Sequence, residues 1–309
     1  MVFLKPKVSV IIPTYNRPKF FKRAIQSVLN QTYKNFEVIV IDDSTNDETK
    51  KIVEDFNDKR IRYIHNKKKT NLSKARNQGV RESSPESKYI VFLDDDNEIL
   101  PQFLEKSIEK LEKRPDLIGV VPSSEHLFDN GTKIGKSINV CESWNTGLGN
   151  GAVLRKTLFT EKNIWFDEKL IRSEEWDFGI RVLKNHKVES IPEALQRYYH
   201  HYPFFKKSTL STVPLSIESI DYLFKKHFSY YQSLGKKPLA LFYYWIGKLY
   251  CRSGEIKKGR KFFLKSFLLQ PRLNYLLYFL FWLFPKFAQN FYFENLLYRI
   301  QKIHEKLKK

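Results

Sequence analysis

Asp94, Asp95 and Asp96 stand side by side directly after Tyr89-Ile90-Val91-Phe92-Leu93. Adjacent carboxylates repel one another unless something positive sits among them, and a hard divalent cation is the usual partner of such oxygens. The apolar run in front suits a strand buried on both faces, which sets the carboxylates at a sheet edge. A solvated acidic turn, or the N-cap of the helix that follows from Pro101, accounts for the triplet without a ligand. Two other polar clusters share its setting: Thr14-Tyr15-Asn16 follows the β-branched run at 7–12, and Asp42-Asp43-Ser44 follows residues 36–41. A further acidic group is Ser173-Glu174-Glu175-Trp176-Asp177, whose carboxylates either accept a proton from an attacking hydroxyl or simply favour the positive end of a helix.

The elements that must hold these groups read as alternating strand and helix. Strands are expected at 7–12, 36–41, 61–64 and 89–93, and helices at 19–30, 49–56 and 73–81. That order implies a parallel sheet with right-handed crossovers, and in such sheets ligands bind beyond the carboxyl ends of the strands. The clusters at Thr14, Asp43 and Asp94 all fall on that edge, so together they suggest a nucleotide-sized pocket. Beyond the aspartates come an amphipathic helix at 101–113, a strand at 117–122 and a hairpin signal at Asp129-Asn130-Gly131. The stretch 144–151 is glycine-dense but lacks a Walker pattern. A strand-like piece at 188–192 precedes what reads as a basic aromatic loop, Gln196-Arg197-Tyr198-Tyr199-His200-His201.

Composition narrows the class. The chain has 309 residues, 42% of them hydrophobic, enough for one large domain with an appendage. Its 54 Lys+Arg against 34 Asp+Glu give +20, and residues 201–309 alone hold 20 basic and 5 acidic side chains. Such charge calls for an anionic partner, but no nucleic-acid motif accompanies it, so a lipid surface or a nucleotide is expected and a nucleic acid is not. Cys141 and Cys251 form neither a disulfide framework nor a metal set, which fits a reducing cytosol. No signal peptide is visible, and the longest apolar run, 275–285, falls short of the ~20 residues a membrane span needs.

The blocks VSVIIPTYNRPKFFKRAIQSVLNQTYKNFEVIVIDDSTNDET, NLSKARNQG and YIVFLDDDNEILP resemble, in order and spacing, those of family-two glycosyltransferases of the GT-A fold. The resemblance runs over about residues 7–200. It implies an α/β fold, GT-A, with a mostly parallel Rossmann-like sheet and flanking helices over residues 1–212, plus an α-helical extension at 213–309. Residues 1–100 would be the nucleotide-binding half, and 101–212 the acceptor half with a lid loop. The implied reaction is inverting transfer from a nucleotide-sugar donor to a hydroxyl of a glycan or lipid-linked glycan, with Mn²⁺ or Mg²⁺ as cofactor.

By the same resemblance Pro13, Tyr15, Asn16 and Asp43 face the base and ribose, and Arg76 lies near the donor. Asp94 and Asp96 become the ends of a DxD motif, Asp96 for the metal and Asp94 for sugar or ribose hydroxyls. Asp95 joins the donor set with its orientation open. Glu175 is the expected general base, one methylene longer than the family's usual aspartate, with Asp177 in reserve. A YRxH-like element makes His201 a second metal-side residue and His200 its rival. Alternatives are transfer to a polyprenyl phosphate, or a catalytically decayed, membrane-bound interaction module. Residues 239–271 resemble one tetratricopeptide helix pair, and 273–300 read as an aromatic, cationic face for an anionic membrane. The expected location is cytoplasmic, peripheral to the inner face of the cell membrane.

Overall fold

Val8, Val10 and Ile12 point to one side of the first strand and Ile11 to the other, and both sides are buried. The same alternation runs through Val38 and Val40 against Ile39 and Ile41, and through Tyr89 and Val91 against Ile90 and Phe92. This is why the strands read as continuous apolar runs: each face lies against helices. The protein is seen here as a computed structural model that describes residues 7–137, 148–200 and 216–281.

The strands are β1 (Val8–Thr14), β2 (Phe36–Asp42), β3 (Ile61–His65), β4 (Tyr89–Phe92), β5 (Glu98–Ile99), β6 (Leu117–Phe128), β7 (Lys133–Ser137), β8 (Val153–Arg155) and β9 (Lys187–His200). They form one sheet in the order β3-β2-β1-β4-β8-β6-β9-β5, with β7 hairpinned onto β6 through Gly131. Strands β3, β2, β1 and β4 run parallel, as do β6 and β9, while β8 is antiparallel to both of its neighbours.

Helices α1 (Pro18–Leu29), α2 (Glu48–Phe56) and α4 (Phe103–Lys113) cover one face of the sheet. On α1, Phe21, Ala24, Ile25 and Val28 make the buried stripe, and Pro18 sits in the first turn, where a missing N–H costs nothing. Helices α3 (Leu72–Glu82), α5 (Thr157–Thr160) and α6 (Glu174–Asn185) cover the other face. There Phe166 stacks on Phe178 with centroids 4.2 Å apart, and Phe92 meets Phe166 edge-on at 5.2 Å.

Several strands exceed the sequence expectation, β1, β6 and β9 most consequentially. β1 continues to Thr14, so Pro13 is a buried strand residue opposite Ile41 rather than the start of a loop. The β4 partnership has ended at Ile11 by then, and a residue without an N–H is tolerated there. The pieces at 188–192 and 196–200, expected as strand and loop, are one strand, β9, parallel to a β6 that itself runs to Phe128. The pairing jumps from Pro122↔Ile191 to Ser123↔Ala194, so Pro192 and Glu193 bulge out and the strand resumes.

The chain divides into two compact units, 1–202 and 203–309; the boundary expected from the sequence, between 212 and 213, lies outside the described residues. The second unit contains α7 (Ile217–Ser233), α8 (Lys236–Arg252), α9 (Ile256–Leu269) and α10 (Leu273–Phe281). α8 and α9 pack closely at Gly247 and Gly259, and Cys251, Phe263 and Tyr278 form the buried centre. Among the described residues no helix is long and apolar enough to cross a membrane.

Candidate active site

The α3 helix starts where Asn71 caps it, its side-chain oxygen accepting the Lys74 N–H at 2.9 Å. That start places Arg76 a turn later, wholly buried beneath the carboxyl edge of the sheet. Its Nη2 donates to Asp94 Oδ1 at 2.9 Å and to Glu175 Oε1 at 2.6 Å, and its Nη1 lies 3.4 Å from Glu174 Oε1. One guanidinium therefore gathers the carboxylate ending β4 and the two opening α6. Burial works against the arginine's charge, but Glu175, Asp94 and Glu174 outweigh it and hold Arg76 protonated above its ordinary range.

One cation does not neutralise three carboxylates. Burial, with the Glu175 and Asp96 charges, pushes Asp94 up to about 8 against the opposing pull of Arg76. Burial likewise raises Glu174, with Arg76 opposing and Glu175 adding to the rise. The acidic pair is divided in access: 38% of the Glu175 side chain is exposed against 10% for Glu174, so Glu175 is the one a substrate can reach. Asp177, the reserve base, is fully buried and holds Arg181 through Oδ2 at 2.7 Å, on the far side of the helix.

The glycine-dense segment closes over this cluster. Asn150 Oδ1 accepts the Asp94 N–H at 3.1 Å, and its carbonyl accepts the Tyr198 hydroxyl at 3.0 Å, tying β4 to β9. Gly151 has φ +71° and lies against Gln196, and Gly149 lies against the Glu175 side chain, where any Cβ would collide. Burial first, then the Glu175 and Asp94 charges, raise the Tyr198 phenol well above its ordinary range, which keeps it a hydrogen-bond donor.

The three aspartates diverge. Asp94 faces Arg76. Asp95 turns inward, 7% exposed, accepting from Thr14 Oγ1 at 2.8 Å and from Arg17 Nη1 at 3.4 Å; burial and the Asp96 charge raise it to about 6. Asp96 keeps 19% of its side chain exposed, with Oδ2 2.7 Å from Arg17 Nη1 and its carbonyl accepting from Arg23.

The expected base-and-ribose residues surround the neighbouring strand ends. Asp43 Oδ1 accepts from Asn66 at 2.8 Å, and Oδ2 accepts both the N–H and the hydroxyl of Thr70 at 2.7 Å, so its carboxylate braces the loop at 66–70. Asn16 adopts a left-handed turn, φ 51°, and accepts the Thr45 N–H at 3.0 Å. The Tyr15 ring carries the Lys69 ammonium 3.7 Å from its centroid. Pro13 is buried in β1. His201 lies outside the described residues; His200, its rival, ends β9 with Nε2 2.9 Å from His126 Nδ1. Burial and the His200 charge lower His126.

Among the described residues no three His, Cys, Asp or Glu are arranged to hold a metal ion. The donor set fits instead the Mg²⁺ or Mn²⁺ pattern in which one or two carboxylates hold an ion that takes its other oxygens from substrate phosphates and water. Asp96, acidic and partly exposed at the strand mouth, suits that role. Arg17 and Asn150 are side chains at this cluster that reading the sequence does not single out, and Tyr198 enters there only as the first residue of the YRxH-like element. Arg17 stands between two turn formers, and Asn150 reads as part of a turn. Tyr198 has a signal in its alternation with Gln196 and His200, hidden by reading that stretch as a loop.

The parallel α/β half, joined through the antiparallel β8 to a second half carrying α6, has the architecture of the GT-A fold. Residues 9–178 match the profile described as Glycosyl transferase family 2, and the chain belongs to that family. An uncharacterized glycosyltransferase of Methanocaldococcus jannaschii is 33% identical over 214 residues, 63% of this chain and 71% of that protein. The Escherichia coli UDP-Glc:alpha-D-GlcNAc-diphosphoundecaprenol beta-1,3-glucosyltransferase WfgD is 28% identical over 60% of this chain and 72% of its own. The GalNAc(5)-diNAcBac-PP-undecaprenol beta-1,3-glucosyltransferase of Campylobacter jejuni is 40% identical over 34% of each chain. Other relatives are much longer: the chain matches 21% of one Rickettsia bellii glycosyltransferase. Among solved structures, residues 1–349 of Staphylococcus aureus TarS with UDP-GlcNAc superpose with a TM-score of 0.57 at 17% identity, covering 89% of this chain and 79% of that one, which is a likeness of fold.

Proposed function

We propose that this glycosyltransferase moves a sugar from a nucleotide diphosphate sugar to a hydroxyl of a lipid-linked glycan, with inversion, using Glu175 as general base and a divalent metal at Asp96. The observation that carries the reading is the meeting of Asp94 and Glu175 on one nitrogen of Arg76, at 2.9 and 2.6 Å. It sets a donor-side carboxylate and a reachable base against the same point. Arg76 fixes the Glu175 carboxylate, which takes the acceptor proton as the hydroxyl attacks the anomeric carbon. A single displacement inverts that carbon, and Glu174, tied down and nearly buried, offers no second nucleophile. Bound at Asp96, Mg²⁺ or Mn²⁺ would supply Lewis-acid stabilisation of the leaving diphosphate. Asp94, above the ordinary carboxylate range, is suited to hydrogen-bond sugar or ribose hydroxyls, and Tyr15, Asn16 and Asp43 shape the nucleotide end.

The nucleotide-sugar donor is supported by the name of the Escherichia coli relative and by the ligand of TarS, and the lipid-linked acceptor by the undecaprenol-linked substrates named for two relatives. An acceptor of that kind would be met at a membrane surface, and the reading puts the enzyme at the cytoplasmic face. The aromatic, cationic stretch 273–300, of which residues beyond 281 lie outside the described ones, would then serve as the peripheral contact. The test is a thermal-shift screen of nucleotide sugars on the whole chain with and without Mn²⁺. At least one donor is expected to raise Tm more in the presence of Mn²⁺. No stabilisation by any nucleotide sugar under either condition overturns the proposal.

A further inference from the structure

The cationic partner that the aspartates want is already in the protein. Arg17 follows β1 and leads into α1, and its Nη1 reaches Asp96 Oδ2 at 2.7 Å while staying 3.4 Å from Asp95 Oδ1. Asp95 is the fixed side of this bracket, since it is buried and its other oxygen is held by Thr14 at 2.8 Å. Arg17 is the movable side, with 37% of its side chain exposed. A divalent ion on Asp96 would need a carboxylate oxygen at ~2.0–2.2 Å, and a guanidinium left 2.7 Å from the same carboxylate would face a dication at repulsive range.

We infer that Arg17 and the divalent metal exclude one another at Asp96, so that Arg17 is a built-in counter-cation which makes metal binding depend on the nucleotide diphosphate. The inference rests on the metal reading given above. When no metal is bound, Arg17 keeps the Asp96 carboxylate turned toward the strand mouth and relieves its repulsion with Asp95. A diphosphate changes the balance in two ways, by giving the metal further oxygen ligands and by giving the displaced guanidinium a new anion to pair with. Metal and nucleotide therefore bind with positive coupling, and Arg17 supplies part of it. Asp95, whose place in a donor site its burial argues against, acquires a purpose as the positioning residue for Arg17.

The experiment is Mn²⁺ titration of the whole chain followed by the EPR signal of free Mn²⁺, with and without UDP, for wild type, Arg17→Gln, Arg17→Lys and Lys19→Gln. Removing a partly exposed ion pair that competes for the ligand is expected to tighten Mn²⁺ binding without UDP by about fivefold in Arg17→Gln. The enhancement produced by UDP should shrink in the same variant, and Arg17→Lys should fall between it and wild type. Lys19→Gln, which removes an exposed charge two residues away, should match wild type and so rule out a simple net-charge effect. Equal or weaker Mn²⁺ binding by Arg17→Gln, or the same tightening in Lys19→Gln, overturns the inference. Wild type that binds no Mn²⁺ even with UDP would instead defeat the metal reading beneath it.

Discussion

Three carboxylates around one buried guanidinium leave an excess of negative charge that the folded chain must carry or neutralise. At Asp94, 29% exposed, burial and the Glu175 and Asp96 charges raise the group to about 8 against the pull of Arg76, whereas in the unfolded chain it titrates near the ordinary carboxylate value. Between those two values the native state binds the extra proton, so its stability falls as pH rises through the window. Asp94→Asn mimics the protonated form and lacks this loss. Its stability relative to wild type, read from urea midpoints, should therefore grow on the order of 1 kcal/mol or more from pH 6 to pH 9. A gap that stays constant or narrows would contradict the electrostatics described here. At this scale the family resemblance singles out Asp94, Arg76 and Glu175, and the fold brings the three side chains together. Arg17 is not singled out, since nothing local tells a turn arginine in solvent from one folded back onto Asp96. The orientation of Asp95 is hidden for a related reason: adjacent residues at a strand end need not continue its alternation.

The parallel half was legible as elements because both of its faces are buried, which turns each strand into an apolar run bounded by turn residues. The acceptor half was less so. Pro192 breaks the pattern of β9, two residues are all that make β5, and β8 is three residues long within a glycine-rich context. Pairing with distant strands, not local sequence, makes these strands, and that information is tertiary. The glycine segment is where element and chemistry meet, since Gly149 lies flush against the Glu175 side chain. Gly149→Ala should push the carboxylate from its seat on Arg76 and lower kcat by about 100-fold, leaving donor KM within a few-fold, in steady-state assays on a folded variant. Unchanged kcat would mean that Glu175 need not occupy the position seen.

For the molecule as a whole, charge is distributed by unit. Residues 256–281 of the helical unit contain no acidic side chain but include Lys257, Lys258, Arg260, Lys261, Lys265 and Arg272, and Leu264 and Leu268 stand exposed among them at 41% and 71%. Such a face suits anionic headgroups, each nearby Lys or Arg adding ~1 kcal/mol at low salt. The whole chain should co-sediment with phosphatidylglycerol vesicles and not with phosphatidylcholine ones, and 0.5 M salt should release much of it. Equal binding to both would assign the unit another partner. On the proposed function, membrane contact would bring the enzyme to a lipid-linked acceptor, and the transfer itself would depend on a carboxylate that takes a proton. The most direct measurement is therefore single-turnover transfer by Glu175→Gln with a nucleotide sugar and a lipid-linked glycan. The rate is expected to fall by about 10²–10⁴-fold while donor binding is kept. A rate close to wild type would contradict the mechanism and favour an acceptor, such as a polyprenyl phosphate, that needs no base.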